Sequence, residues 1–296
     1  MSKPGPCYCD AWRLTGMLQT TMARPTEVLR PYVWAYGTIF GTVSSERLRI
    51  PLPARPKQLL TFSFADPFRV LRPESHETHP SPRVTVAGPQ TYARAGLSAF
   101  GTIDNFTIHF QPAGFHRLFG IPMTELTDAA YDAYGVIGAR LPGMEDELAC
   151  AAGFAKRVEV AERCLMGMLD NDADADPIAF AANRLFRRAG LQGVSAMAAE
   201  VNLSSRQFER RFLAQVGVPP KLYARIIRFN AALDSKLRSP GHSWTRVSNE
   251  HEYYDQMHLL RDCRAFTGES PERFLARLAP LPAFHAFYAT EPVRIA

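Results

Sequence analysis

The feature that most constrains this chain is a unit that occurs twice. The stretch VSAMAAEVNLSSRQFERRFLAQVGVPPKLYARIIRF (Val194 to Phe229) and the stretch SWTRVSNEHEYYDQMHLLRDCRAFTGESPERFL (Ser243 to Leu275) follow one plan. Each offers a short helix, a tight turn, a basic second helix, a Gly-x-x-Pro and a further helix. The Gly-x-x-Pro is Gly217 to Pro220 in the first and Gly268 to Pro271 in the second. Recurrence after about 50 residues predicts two copies of one helix-turn-helix module, whose second helix is shaped to enter a major groove.

Charge agrees with that division. From Ile178 onward the chain carries 15 Arg and 2 Lys against 10 acids, a net +7, and residues 1–177 carry a net −2. A basic C-terminal part beside a near-neutral N-terminal part fits a polyanion binder joined to a sensing or assembly domain. A chain of 296 residues suits two domains better than one. Its five cysteines (Cys7, Cys9, Cys150, Cys164 and Cys263) are odd in number and scattered, so no disulfide framework is expected. No run of about 18 apolar residues occurs and the N-terminus lacks an apolar signal core, so a reducing cytoplasm is the expected location.

The N-terminal part reads as β-structure. KQLLTFSFAD (Lys57 to Asp66) and PRVTVAGPQ (Pro82 to Gln90) are predicted strands, and DNFTIHFQP places Phe106, Ile108 and Phe110 on one face at period two. Short strands among many prolines and glycines predict a sandwich or small barrel. Residues 72–82 read as a long polar loop and residues 1–25 as a loose arm. After Phe115 the pattern turns helical, through PMTELTDAAYDAYGVIG and then EDELACAAGFAKRVEVAERCLMGMLDN. There Leu148, Ala151, Ala155, Val158, Glu162, Leu165 and Leu169 fall at alternating spacings of three and four. Such a stripe either docks on its own β-domain or makes a dimer seam, for which Leu148, Val158, Leu165 and Leu169 are the candidates. Residues 171–177, NDADADP, read as a solvated hinge.

The chemistry of the first module follows from its turn. Asn202 sits where the chain must reverse, and Asn tolerates positive φ. Ser204 and Gln207 have capping-box spacing. Phe208 and Phe212, four apart, point inward, leaving Arg206, Gln207, Glu209, Arg210 and Arg211 outside. Arg grips guanine, and Gln adenine, in a bidentate way.

These residues resemble the AraC/XylS family of bacterial transcription regulators. LSSRQFERRFLAQVGVPPKLYARIIRFNAAL follows that family's first-module signature, and YYDQMHLLRDCRAFTGESPERF its second. The resemblance covers about 100 residues, and FQPAGFHRLFGIPMTELTD carries a weaker likeness to the cupin-like regulatory domains of one branch. It implies an α+β chain with a cupin-like N-terminal β-barrel or sandwich with helices, then an all-α domain of two helix-turn-helix modules. The implied divisions are 1–144 for the regulatory domain and its arm, and 145–177 for a dimerisation helix and linker. The DNA-binding domain would be 178–280, and 281–296 a tail. The implied base readers are Arg206, Gln207 and Arg210 in the first module, and Gln256, Met257, His258 and Arg261 in the second. Asp255 would cap the second recognition helix, and Lys221 and Arg228 are candidate phosphate contacts. Double-stranded DNA, RNA polymerase and a second copy of the chain are the implied partners, with no cofactor and no catalysis; an effector is not named. Two departures stand out: Glu252 replaces a turn glycine, and Cys263 a core phenylalanine.

Other readings are weaker. Cys7 and Cys9 lack the further cysteines a metal site needs. His76, His79, His109 and His116 lack the H-x-H of metal-dependent cupin enzymes. An architectural DNA binder with little base preference is the remaining alternative. Tyr32, Trp34, Tyr36, Phe62, Phe64, Phe106 and Phe110 either pack the core or line an effector cavity.

Overall fold

A computed structural model describes residues 18–71, 78–93, 95–138, 141–169, 176–279 and 281. Its spine is the pairing of two long antiparallel strands, β2 (Val33–Pro51) and β7 (Gly96–Phe110), running from Val33 opposite Phe110 to Pro51 opposite Gly96 with register shifts between Val33 and Ala35 and between Val43 and Leu48. β1 (Leu18–Ala23) flanks β2. On the far side of β7 lie β3 (Leu59–Ser63), β6 (Val84–Ala87) and β8 (Ala130–Asp132). β4 (Arg69–Leu71) extends the lower half of β7 and pairs with β5 (Thr78–Pro80). The residues expected to form a polar loop thus contribute a short strand at 78–80; Cys7, Cys9 and His76 lie outside the described residues.

Alternation along β7 fills one core. Phe106, Ile108 and Phe110 pack with Tyr36, Phe62 and Val86 beneath α1 (Gly114–Phe119), α3 (Pro142–Cys150) and α4 (Gly153–Met166). Most of the β-region aromatics are core residues here. Trp34 is an exception. A register shift between Val33 and Ala35 turns both Trp34 and Ala35 to the other face of the sheet, which is what an extra residue in one strand does. There they pack against Ile178, Leu185, Phe186 and Tyr223 of the C-terminal domain. Thr107 and His109, the polar alternates of β7, are buried on that second face too. The sheet is therefore covered on both sides.

Two helical expectations change. PMTELTDAAYDAYGVIG is not one helix: a 3₁₀ turn at Met123–Glu125, strand β8 and α2 (Ala133–Ile137) share it. Asp132 ends the strand and caps α2 by accepting from the Tyr134 amide at 2.9 Å. The apolar stripe is broken at Ala151–Ala152, where Gly153 takes φ +82° and α4 turns back on α3. Leu148 and Leu165 are 0 % exposed within the N-terminal core, and Val158 and Leu169 pack against the same cluster. A dimer seam needs these side chains on the surface, so of the two readings of the stripe, packing on the chain's own domain fits their position. Among the described residues, no helix is long and apolar enough to cross a membrane.

Lys57 sits where the two domains meet. It is 4 % exposed, with its ammonium 3.4 Å from the centroid of the Trp34 ring and 5.9 Å from that of Phe186. Burial lowers its pKa to about 7, aided by Arg55 and opposed by Asp234. Burial also holds His109 well below its ordinary value, and Lys57 and Arg55 add to this. The folded chain therefore sheds the Lys57 proton near pH 7, while the unfolded chain keeps it to the ordinary 10.5. Below that window both states carry the charge and the folded state bears the full cost of burying it. Through the window the cost fades, so stability rises with pH at up to about 1.4 kcal/mol per unit. Lys57→Met should be more stable than the parent at pH 7 by urea unfolding, with the gap closing towards pH 10. A gap that does not vary with pH would show that Lys57 does not titrate in this window.

Candidate nucleic-acid interface

The C-terminal domain opens with α5 (Pro177–Arg187), capped by the Asp176 carboxylate, which accepts from Ile178 at 2.7 Å. The first module is α6 (Val194–Glu200) and α7 (Ser205–Val216). Asn202 between them has φ +53°, the left-handed conformation expected of it. Ser204 Oγ accepts from the Gln207 amide at 3.3 Å and Gln207 Oε1 from the Ser204 amide at 3.2 Å, a complete capping box. Phe208 and Phe212 are fully buried with ring centroids 5.5 Å apart, and Phe212 stacks edge-on to Tyr223 at 5.4 Å. Arg206, Glu209, Arg210 and Arg211 are exposed.

The second module repeats these devices. α9 (Trp244–Glu250) is followed by Glu252 at φ +51° and by α10 (Gln256–Thr267). Asp255 caps α10, accepting from the His258 amide at 2.6 Å. Both recognition helices lack acids in the first turn; at α7, whose cap Ser204 is neutral, the positive end of the helix dipole is left for an anion, whereas at α10 the Asp255 carboxylate sits on it. Both end on a left-handed glycine, Gly217 at φ +89° and Gly268 at φ +76°.

One helix joins them. α8 (Pro220–Arg238) buries Tyr223, Ala224 and Ile227 against the first module and Ile226, Phe229, Ala232 and Leu233 against the second. Arg225 on α8 donates to the buried Asp262 of α10 at 2.6 Å. Sequence reading missed this tie. Asp262 lies beside Arg261, and only the helical period, which puts neighbours about 100° apart, separates an inward acid from an outward base.

The candidate readers divide on inspection. Arg206, Arg210, Met257 and Arg261 are exposed. Gln207 has its oxygen in the capping box, and Gln256 Oε1 accepts from Thr245 at 2.7 Å, so each must exchange a bond to reach a base. His258 is half-buried, its ring edge-on to Tyr253 at 5.2 Å. Lys221 is exposed at the start of α8. Arg228 is turned inward: it donates to the Gly190 carbonyl at 3.1 Å and lies 5.7 Å from the Tyr253 ring centroid. It ties the start of the first module to the turn of the second, and reaching a phosphate would use its remaining donors or an exchange of that bond.

Residues 197–277 match the family model described as a helix-turn-helix domain, which spans both modules and the helix between them. The C-terminal part of the chain therefore carries a helix-turn-helix domain, in agreement with the paired modules described above. An antiparallel-sheet domain precedes the two modules, and a helix-turn-helix domain is a DNA-binding fold. Residues 21–132, within that sheet domain, match a domain of unknown function (DUF6597). No curated protein is similar in sequence. Among solved structures, ToxT from Vibrio cholerae O395 is 9% identical over 88% of this chain and 98% of its own, with a TM-score of 0.42. The AraC-like transcriptional activator CuxR is 9% identical over 73% of this chain and 87% of its own, with a TM-score of 0.28. Neither superposes closely enough to carry an argument here.

Glu252 holds the left-handed position that Asn202 holds in the first module, and for a residue with a full side chain that costs on the order of 1 kcal/mol. Glu252→Gly should stabilise the chain by about that amount in a thermal melt; destabilisation would mean the glutamate is at ease there. Cys263 is buried between Leu259 and Phe266, its thiol pushed up to about 11 chiefly by that burial. Cys263→Phe overfills this space unless its neighbours yield, so the double change should gain less than the glycine change alone.

Proposed function

We propose that this chain activates transcription by laying α7 and α10 in successive major grooves on one face of a duplex. The supporting observation is the equivalence of the two helices: capped at one end by Ser204 and Asp255, closed at the other by Gly217 and Gly268, and carried on the single helix α8. In this reading Arg206 and Arg210 read bases in the first groove, and Met257, His258 and Arg261 in the second. Gln207 and Gln256 join them by releasing their capping and Thr245 bonds, and Lys221 and Arg228 hold phosphates, Arg228 through the guanidinium donors not bound to Gly190. The domain divisions at 144, 177 and 280, a cytoplasmic location, contact with RNA polymerase, a homodimer and the absence of catalysis belong to the same proposal. The N-terminal domain is its regulatory part, and its effector is not assigned.

The test is to fragment the source genome, capture fragments on the full-length protein and sequence them. The expected result is a two-part motif, its elements about 10 base pairs apart from centre to centre. A retained pool with no enriched sequence would favour an architectural binder. A single short element would leave only one module reading bases.

A further inference from the structure

We infer that the N-terminal domain carries a clip that grips both helix-turn-helix modules at the same point and thereby fixes the half-site spacing the chain accepts. This rests on the two-groove reading. The clip is residues 52–58, between β2 and β3, bridged to residues 88–93, after β6. Arg55 and Gln90 exchange both main-chain bonds at 2.8 Å. The buried Gln90 amide donates to the Leu52 carbonyl at 3.1 Å and to that of Tyr92 at 3.0 Å. Asp128 anchors the second segment, accepting from the Thr91 amide and hydroxyl at 2.6 Å each.

Each module meets this bridge where its recognition helix ends. In the first, Gln58 Nε2 donates to the Val216 carbonyl at 3.4 Å and Thr127 Oγ1 to that of Gly217 at 2.6 Å. A side chain at Gly217 would begin 2.9 Å from the Pro89 ring and 2.7 Å from Thr127 Oγ1, so the backbone itself lies against the clip. In the second, the Ala54 amide donates to the Phe266 carbonyl at 2.9 Å, and a side chain at Gly268 would begin 3.9 Å from Ala93 Cβ. The linking helix is held as well: the buried Asn230 amide donates to the Ala54 carbonyl at 3.0 Å.

The sequence repeat makes Gly217 and Gly268 equivalent, and one rigid piece of the N-terminal domain touches both turns. Were α8 the only coupling, the modules could rock about it, and each added base pair would be absorbed by a small rotation. A third body bonded to both helix ends removes that freedom. Gln58, Gln90, Thr127 and the Ala54 amide are then positioning residues for DNA reading, though none of them touches DNA.

The experiment uses the full-length chain, Gln90→Ala, and the double variant Gln58→Leu/Thr127→Val, which loosens only the first module and leaves the bridge intact. Without DNA, amide exchange is followed at 213–218 and 264–269. With DNA, binding is titrated on duplexes whose two half-sites are moved apart or together by one and two base pairs. The parent should lose affinity on the order of tenfold per base-pair shift, while both variants should bind shifted duplexes within about threefold of the natural spacing. Gln90→Ala should also speed exchange at both helix ends together, and the double variant at 213–218 alone. Spacing profiles identical to the parent's would overturn the clip, whatever the affinity. If no duplex is bound sequence-specifically, the two-groove reading has failed, and the exchange result still decides whether the clip holds the modules.

Discussion

Arg210→Ala should weaken binding to the cognate site by about 1–3 kcal/mol, roughly 5- to 150-fold, and binding to random DNA far less. Arg206→Ala should do the same. The two side chains lie one turn apart on the exposed face of α7, and among the described residues neither has an ion-pair partner. They therefore reach a groove without first breaking a bond. Gln207→Ala is the contrast. Its loss opens the capping box as well, so helix stability falls along with any base contact, and a drop in affinity there does not by itself identify a reader. Titration of each variant on cognate and random duplexes at one salt concentration separates the cases. Equal losses on both DNAs would mean that Arg206 and Arg210 touch phosphate only.

How much of this was legible depended on whether the cause was local. Asn202, Ser204, Gln207, Asp255 and the two glycines act within a few residues of themselves, and the turns, caps and helix ends they imply are those observed. Glu252 was legible as a departure for the same reason. The second face of the sheet was not. Thr107 and His109 alternate with Phe106, Ile108 and Phe110, a pattern that normally means one wet face. Only the docking of α5 and α8 beyond Trp34 buries them, and nothing within ten residues announces that. The clip was hidden likewise, because Ala54 and Gln58 bond to carbonyls more than 150 positions away. Arg228 shows the same limit: a basic residue on a linker helix suggests phosphate, and its bond to the carbonyl of the left-handed Gly190, 38 positions away, could not be read from the sequence. PMTELTDAAYDAYGVIG was misread because β8 is three residues long and exists only by pairing with β6.

The Leu148 to Leu169 stripe is where one spacing allows two structures, and substitution tells them apart. A three-four repeat looks the same whether it seals a helix onto its own domain or onto a second copy. Leu165 is fully buried among the side chains of the N-terminal core. Leu165→Ala should therefore cost about 2–5 kcal/mol, the range for a deleted core leucine. Leu165→Glu should cost more, because it adds an unpaired carboxylate where water does not reach, and the sheet domain should lose its cooperative melt. The neighbouring Met166 is 41% exposed, and Met166→Glu should shift stability by no more than about 0.5 kcal/mol. Sedimentation run beside the melts completes the comparison. If Leu165→Glu stayed well folded and only its mass in solution fell, the leucine would have to leave this core in the assembled protein, and the seam would be the better account. If instead Leu165→Glu unfolds while Met166→Glu keeps the parent's mass and melt, the stripe holds one chain together, and any pairing of copies must use another surface.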